Sequence, residues 1–274
     1  MINTLRGELP RISLGNSGFS LCPRGESLSG HSRVPPRRAT ENRQMMRVVA
    51  LIPAAGRGRR MGKEIPKASL SLGGIPLLWH TLQKFEGCTQ VDEILPLVPP
   101  KEVSFWTDEI GRRSKLKKVQ RVLAGGEERQ DSVFLGLKAI AGNADWVIIH
   151  DGARPFVPPE LIERALSETR RWKAVTAALP AGETIKEVSL EKEVLRTVDR
   201  GSLWIIQTPQ SFEYSLILSA HEKAREERFC GTDDASLVER LGIPVRVIEG
   251  SRFNFKITTP EDLILGEALL QYLK

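Results

Sequence analysis

The sequence is poor in the residues that staple or anchor a chain. It holds three cysteines, two tyrosines and 6% aromatics, and no apolar run reaches the length of about 18 residues that a bilayer span requires. Cys22, Cys88 and Cys230 stand far apart and form no C-x-x-C pair, so neither a disulfide framework nor a structural zinc site is indicated. A soluble protein of a reducing, cytoplasmic compartment is the expectation. Excess charge is scarce as well. The formal charge is +6, and residues 1–46 hold seven arginines against three acids, a local +4 that leaves +2 for all the rest. A nucleic-acid binder carries its positive excess on the folded body, often with interleaved aromatics. That pattern is missing, so neither nucleic acid nor membrane is an expected partner.

What is present is enough for a full hydrophobic core: 274 residues, 41% of them apolar, suit one globular domain. Residues 1–44 are rich in Ser, Gly, Pro and Arg without apolar periodicity, a composition that cannot offset its own ordering entropy. Two readings apply to them. They are a disordered extension, with a faint likeness to a plastid transit peptide, or translation begins at Met45 or Met46, directly before the first strand. The domain proper is expected over 45–274.

From Arg47 onward short β-branched runs alternate with amphipathic stretches, which predicts an α/β fold with a mainly parallel sheet flanked by helices. Strands are expected at Arg47–Pro53, Glu93–Val98, Lys118–Leu123, Asp145–His150, Ala174–Leu179 and Val245–Glu249. Helices are expected at Pro76–Phe85, Asp131–Ala141, Pro159–Trp172, Ser215–Glu227, Asp233–Leu241 and Pro260–Leu273, the last with Thr259 as N-cap. Residues 180–204 break the alternation with two extended runs, Thr184–Val188 and Val194–Val198. They read as a projecting β-hairpin arm, and such an arm is marginal alone, so a second subunit is the economical cover.

In open parallel sheets ligands sit beyond the carboxyl ends of the strands. The first strand runs into Pro53-Ala54-Ala55-Gly56-Arg57-Gly58-Arg59-Arg60-Met61-Gly62, then Pro66-Lys67. The glycine spacing is not that of a dinucleotide-binding turn, and no G-x-x-x-x-G-K-[ST] occurs. Small residues let backbone N–H groups approach a phosphate while the cations neutralise it, so this reads as a triphosphate loop. A second strand runs into Asp151-Gly152-Ala153-Arg154-Pro155, placing Asp151 where a carboxylate can hold Mg²⁺. His150 before it reads as a packed strand residue. A third loop, Gly125-Gly126-Glu127-Glu128-Arg129-Gln130-Asp131-Ser132, again joins strand to helix and could present backbone groups to a base and ribose. By itself it is compatible with a simple connection.

Together these stretches resemble the 2-C-methyl-D-erythritol 4-phosphate cytidylyltransferases of the non-mevalonate isoprenoid pathway. The resemblance runs from Arg47 to the end of the sequence. It rests on the loop just quoted with Arg60 and Lys67, on His150-Asp-x-Ala-Arg-Pro155, Thr197-Val-Asp-Arg200, Thr208-Pro-Gln210, Thr232-Asp-Asp-Ala-Ser236, and Asn254-Phe-Lys256-Ile-Thr with Pro260-Glu-Asp-Leu263. It departs from the commonest family pattern at Ala68, Gly152 and Glu183, none of which removes a charged group.

The resemblance implies a Rossmann-like nucleotidyltransferase fold, CTP and a sugar-alcohol phosphate as substrates, Mg²⁺ or another divalent cation on Asp151, and a homodimer joined through the arm. It makes Arg60 and Lys67 the transition-state stabilisers. It puts Ala54, Ala55, Gly56, Gly58, Gly126, Glu127, Ser132 and Arg154 with CTP, and Thr184, Arg200, Thr208, Thr232 and Lys256 with the acceptor. Two alternatives stand beside it: a ribitol-5-phosphate cytidylyltransferase, and an inactive nucleotide-binding regulator of the same fold.

Overall fold

The computed structural model describes residues 46–56 and 67–273. The expectations for residues 1–44, Gly58 and Arg60 fall outside the described residues, as does the side chain of Lys67.

The first strand, β1 (Val48–Pro53), is VVALIP, an unbroken apolar run. Such a run has no polar face to give to water and belongs in the middle of a sheet covered on both sides. There it lies, every residue buried, with parallel neighbours on each flank. A short hairpin follows, β2 (Ser71–Leu72) and β3 (Ile75–Pro76). Gly73 and Gly74 form its two-residue turn at φ +60° and +79°, a conformation that favours glycine at both positions. Then come α1 (Leu77–Glu86), β4 (Glu93–Val98), α2 (Val103–Arg113), β5 (Leu123–Ala124), α3 (Arg129–Ile140) and β6 (Trp146–Ile149). The second half runs α4 (Pro159–Trp172), β7 (Ala174–Pro180), β8 (Ile185–Val188), β9 (Val194–Val198), β10 (Trp204–Glu213), α5 (Tyr214–Glu226), α6 (Asp234–Glu239), β11 (Arg246–Glu249) and α7 (Pro260–Tyr272).

Seven strands form the main sheet in the order β11-β7-β10-β6-β1-β4-β5, parallel except where β10 lies antiparallel to both β6 and β7. The period-2 rule for strands divides the core. Val48, Ala50 and Ile52 of β1 pack on one side with Trp79, Phe85, Trp106 and Ile162, from α1, α2 and α4. Val49 and Leu51 face the other side with Val133, Leu137, Ile217 and Val238, from α3, α5 and α6. A smaller cluster, Leu72, Leu77, Phe156 and Ile257, packs with Leu263 and Leu270 of α7. That helix starts as expected: the Thr259 side chain accepts from Asp262 N–H and Asp262 reaches back to the Thr259 backbone, a reciprocal cap. Among the described residues no helix is long and apolar enough to cross a membrane.

Five elements differ from the sequence reading, among them the short strands β2 and β3, which it did not anticipate. The strand expected at Lys118–Leu123 shrinks to Leu123–Ala124, and at its expected start the Lys118 N–H donates to the Glu86 carboxylate at 3.0 Å. The helix Val103–Arg113 went unread. So did β10, although it is a central strand and carries Pro209, a residue that central strands rarely hold. The sheet accommodates it through a register shift between Ile206 and Gln210, which takes Pro209 out of the ladder. The arm forms where expected, β8 pairing antiparallel with β9.

Leu51 is fully buried at the heart of the sheet, touching the helix side where Gly136 of α3 leaves just enough room. Leu51→Ala should lower unfolding free energy by about 3 kcal/mol in urea titration. A loss below about 1 kcal/mol would mean that this part of the core is loosely packed.

Candidate active site

Strands β1 and β6 end side by side, and β6 delivers Asp151 two residues beyond Ile149, its last paired residue. Asp151 is 6% exposed. Its Oδ1 accepts from Nε of Arg129 at 2.9 Å, while Oδ2 lies 2.8 Å from Nζ of Lys256 and 3.6 Å from Nε of Arg154. Arg129 opens α3, Lys256 comes from the segment leading to α7, and Arg154 from the turn after β6. Burial pushes the Asp151 carboxyl up. Arg129, Lys256 and Arg154 outweigh it and hold the group well below the usual carboxylate range. Asp151 is therefore ionised at neutral pH.

The turn carrying Asp151 is braced by hydrogen bonds that run one way. Asp151 N–H donates to Thr208 Oγ1 at 3.1 Å, Thr208 Oγ1 lies 3.0 Å from His150 Nδ1, and His150 Nε2 lies 3.1 Å from the Arg154 carbonyl. A carbonyl can only accept, so Nε2 carries the imidazole hydrogen and Nδ1 receives the hydroxyl's. His150 is fully buried, and that burial lowers its pKa to about 4. A neutral imidazole is what the network needs. Asn254 closes the ring, donating from Nδ2 to the Thr208 carbonyl at 2.7 Å while its backbone carbonyl accepts from Arg154 Nη1 at 2.7 Å.

Close approach explains two of the glycines. A Cβ on Gly152 would stand 3.0 Å from Cβ of Ala54 and 3.3 Å from the Pro53 carbonyl; one on Gly125 would stand 2.5 Å from Cβ of Ala55. The second and third loops are thus pressed against the end of β1. In the third loop Gly126 N–H donates to Ser132 Oγ at 3.0 Å, and that hydroxyl lies 3.1 Å from the Glu128 carbonyl it donates to.

The structure brings together Ala54, Ala55, Gly126, Ser132, Asp151, Arg154, Thr208 and Lys256. The hydroxyls of Ser132 and Thr208 are engaged within the protein, shaping loop and turn. Gly56 is exposed at the end of the described part of the first loop, Glu127 is exposed beside Gly126, and Thr232 is exposed in the turn before α6. Lys67 begins a short 3₁₀ turn, Lys67–Ser69. Thr184 and Arg200 lie on the arm, both exposed; Arg200 donates to the Gly182 carbonyl, and among the described residues neither bonds to the Asp151 cluster.

Sequence reasoning passed over Arg129, Asp234, His221 and Gln210 as individual residues. Arg129 Nη1 donates to Asp234 Oδ2 at 2.7 Å, and Asp234 Oδ1 lies 3.1 Å from His221 Nε2. One signal for Arg129 was available: a cation in a first helical turn opposes the helix dipole, so it calls for acidic partners elsewhere.

A parallel sheet that gathers cations around one ionised carboxylate beyond its strand ends, against loops pared to glycine and alanine, is shaped to receive the phosphates of a nucleotide. In class it is a Rossmann-like nucleotidyltransferase. The model of the family described as IspD, 2-C-methyl-D-erythritol 4-phosphate cytidylyltransferase, matches residues 48–272. The chain is similar to proteins of that name from Syntrophus aciditrophicus, 47% identical over 225 residues covering 82% of this chain and 96% of that one, and from Geobacter metallireducens, 47% identical over 229 residues covering 82% and 98%. Among solved structures it is similar to the 2-C-methyl-D-erythritol 4-phosphate cytidylyltransferase of Thermus thermophilus, with TM-score 0.67, 38% identity, and 82% and 100% of the two chains covered. It is also similar to the 4-diphosphocytidyl-2C-methyl-D-erythritol synthase of Anaerococcus prevotii, with TM-score 0.74, 31% identity, and 83% and 97% covered. The chain belongs to the 2-C-methyl-D-erythritol 4-phosphate cytidylyltransferase family and is an enzyme. Neither the ribitol-phosphate alternative nor the inactive regulator is favoured by these relatives.

The depressed His150 pKa has a pH consequence. Between the unfolded value near 6.5 and the folded value of about 4, the unfolded chain binds the proton and the native chain does not. Stability should therefore fall as pH drops through that window. His150→Gln should remove on the order of 2 kcal/mol of this decline between pH 7 and about 4.5, measured by urea unfolding at both pH values. Parallel declines in the two proteins would show that His150 titrates normally.

Proposed function

We propose that the cluster at the ends of β1 and β6 is where this enzyme transfers CMP from CTP to 2-C-methyl-D-erythritol 4-phosphate, releasing pyrophosphate and forming an isoprenoid precursor. The observation that carries this reading is the buried Asp151 carboxylate ringed by Arg129, Arg154 and Lys256. The acceptor is a phosphate monoester whose second pKa is near 6, so it is largely dianionic at pH 7 and attacks without a general base. This agrees with a His150 that is neutral, buried and fully engaged. The harder task is to bring two polyanions together and to stabilise the charge that grows on the α-phosphate oxygens.

Arg60 and Lys67, on the loop after β1, take the charge developing at the α-phosphate, and Arg154 stands beside the triphosphate. Gly126 and Glu127 lie with the cytidine. Lys256 is the outermost cation of the cluster, its side chain 36% exposed, and its pairing with Asp151 is the one an incoming acceptor phosphate can displace most readily. Arg200 and Thr184 complete acceptor binding from the arm.

Among the described residues no group of three or more His, Cys, Asp or Glu side chains could hold a metal. One buried, ionised carboxylate does not cage a cation by itself, but it fits a Mg²⁺ carried on a triphosphate, an ion that takes one or two carboxylates plus phosphate oxygens. Asp151 is the residue that would hold it, and when bound such an ion neutralises phosphate charge as a Lewis acid.

The arm leaves Val188, Leu190, Val194 and Leu195 exposed, Leu190 at 97%, and Ile205 and Ile206 at the start of β10 are exposed as well. A two-stranded hairpin with uncovered apolar side chains is unstable alone in water, and a second copy of this chain is the proposed cover, with each arm serving its partner's site. The cytoplasm is the proposed compartment, which suits the unpaired thiols of Cys88 and Cys230.

Pyrophosphate release with CTP and methylerythritol phosphate, against ATP, UTP, GTP and ribitol 5-phosphate controls, tests reaction, base and acceptor together; absence of a CDP-linked alcohol rejects the reading. In the same assay Lys67→Ala should lose about 10²-fold or more in kcat, whereas Arg200→Ala should chiefly raise KM for the acceptor. Equal and small effects would reject these roles. Leu195→Asp should shift the protein from dimer to monomer in light scattering and lower activity with it. A parent protein that is already monomeric would overturn the arm's role.

A further inference from the structure

Behind the cations that face Asp151 lies a second, fully buried group of polar side chains that the reaction as described does not use. Asp234 and His221 are 1% and 0% exposed. Asp234 bridges the two other members, accepting from Arg129 Nη1 at 2.7 Å on one oxygen and from His221 Nε2 at 3.1 Å on the other. Burial pushes the Asp234 carboxyl up, and Arg129 and His221 more than offset it. An ionised carboxylate can only accept, so Nε2 of His221 donates.

The start of α6, which carries Asp234, is fastened to the sheet by Gln210 of β10. Its Oε1 accepts from the Asp234 and Ala235 N–H groups at 3.1 and 3.2 Å, and its Nε2 donates to Thr176 Oγ1 at 2.9 Å and Asp233 Oδ2 at 2.7 Å. Phe134 of α3 stacks on the His221 ring, with centroids 6.4 Å apart. Asp234 thus has little freedom, and neither does the guanidinium it grips. Arg129 is held at two points, Nε on Asp151 and Nη1 on Asp234, which fixes its plane.

We infer that Asp234 and His221 are positioning residues for the transferase reaction: they hold Arg129 in one orientation, and through it the Asp151 carboxylate. The inference rests on the reading of Asp151 as part of the phosphate site. A stabilising role alone explains the cluster poorly, because buried ion pairs are often no better for stability than well-packed apolar groups, whereas orienting a charged group requires them. The line Gln210, Asp234, Arg129, Asp151 gives the Thr208-Pro-Gln210 and Thr232-Asp-Asp-Ala-Ser236 stretches a joint purpose that neither has alone.

The experiment is steady-state kinetics on the full chain, with melting temperatures recorded alongside. His221→Leu fills the space but donates nothing, and kcat should fall about 10-fold while KM for CTP stays within about 3-fold. His221→Gln places an amide N–H where Nε2–H stands and should recover most of the lost kcat, whatever its melting temperature. Asp234→Asn should resemble His221→Leu, and combining the two should lower kcat no further, since both break one connection. Should His221→Leu fail to fold, His221→Asn, whose shorter amide does not reach Asp234, replaces it with the same expectation.

Wild-type kcat in folded His221→Leu, equal kcat in the Gln and Leu variants, or losses that multiply in the double variant would each overturn the proposal. A wild-type protein that forms no CDP-linked product would instead overturn the reading of the site on which it rests.

Discussion

A single carboxylate kept charged inside the protein sets the terms for everything around it. Asp151 has almost no contact with water, and a carboxylate in that position would ordinarily take up a proton or be expelled. Arg129, Arg154 and Lys256 prevent both, and they come from three separate parts of the chain. The sheet must therefore bring the start of α3, the turn after β6 and the approach to α7 to one place before any of these charges is compensated. In the opposite sense, the cations would repel one another without Asp151. The cluster is a condition of the fold as much as a feature of the site.

The arrangement also gives the site its sign. Asp151 and Asp234 carry two negative charges against three from Arg129, Arg154 and Lys256, so the protein alone leaves a small positive excess. Lysines and arginines of the first loop would add to it. A bare divalent cation is poorly served by such surroundings, whereas a polyanion that brings its own cation is well served. This is why the absence of a protein-built metal cage among the described residues is compatible with metal-dependent chemistry.

How much of this could be read from the sequence depends on whether a neighbour in sequence or a neighbour in space decides the outcome. β1, β4, the arm and α4 are declared locally, by apolar runs, alternation and the Pro-Pro start before a 3.6-residue period, and they fall where expected. The edge strand before Ala124 is shorter than expected, and Glu86, far away in sequence, claims the N–H at its expected start. β10 failed because Pro209 is accommodated only by a register shift against β7, a neighbour in space. The site divides in the same way. Asp151 announces itself as an acid at a strand end, while the reason Arg129 belongs to it lies in Asp234, which an acid-tolerant first turn of α6 conceals. Thr208 was assigned to the acceptor from resemblance, and its hydroxyl proves to be tied into the His150 and Asp151 turn, a use that requires β10 to be known first.

The arm carries this dependence beyond one chain. Its two strands expose most of their side chains, and the same short segment bears both an uncovered apolar surface and the groups assigned to the acceptor, Thr184 and Arg200. Those two groups have no bond to the Asp151 cluster of their own chain among the described residues. If the apolar surface is covered by a second copy, the hairpin gains the packing it lacks and its charged end is held in a fixed place at the same moment. Association and completion of the acceptor site would then be one event, and a surface mutation that touches no substrate could silence the enzyme. The hairpin's marginal stability, a liability in isolation, would tie activity to assembly.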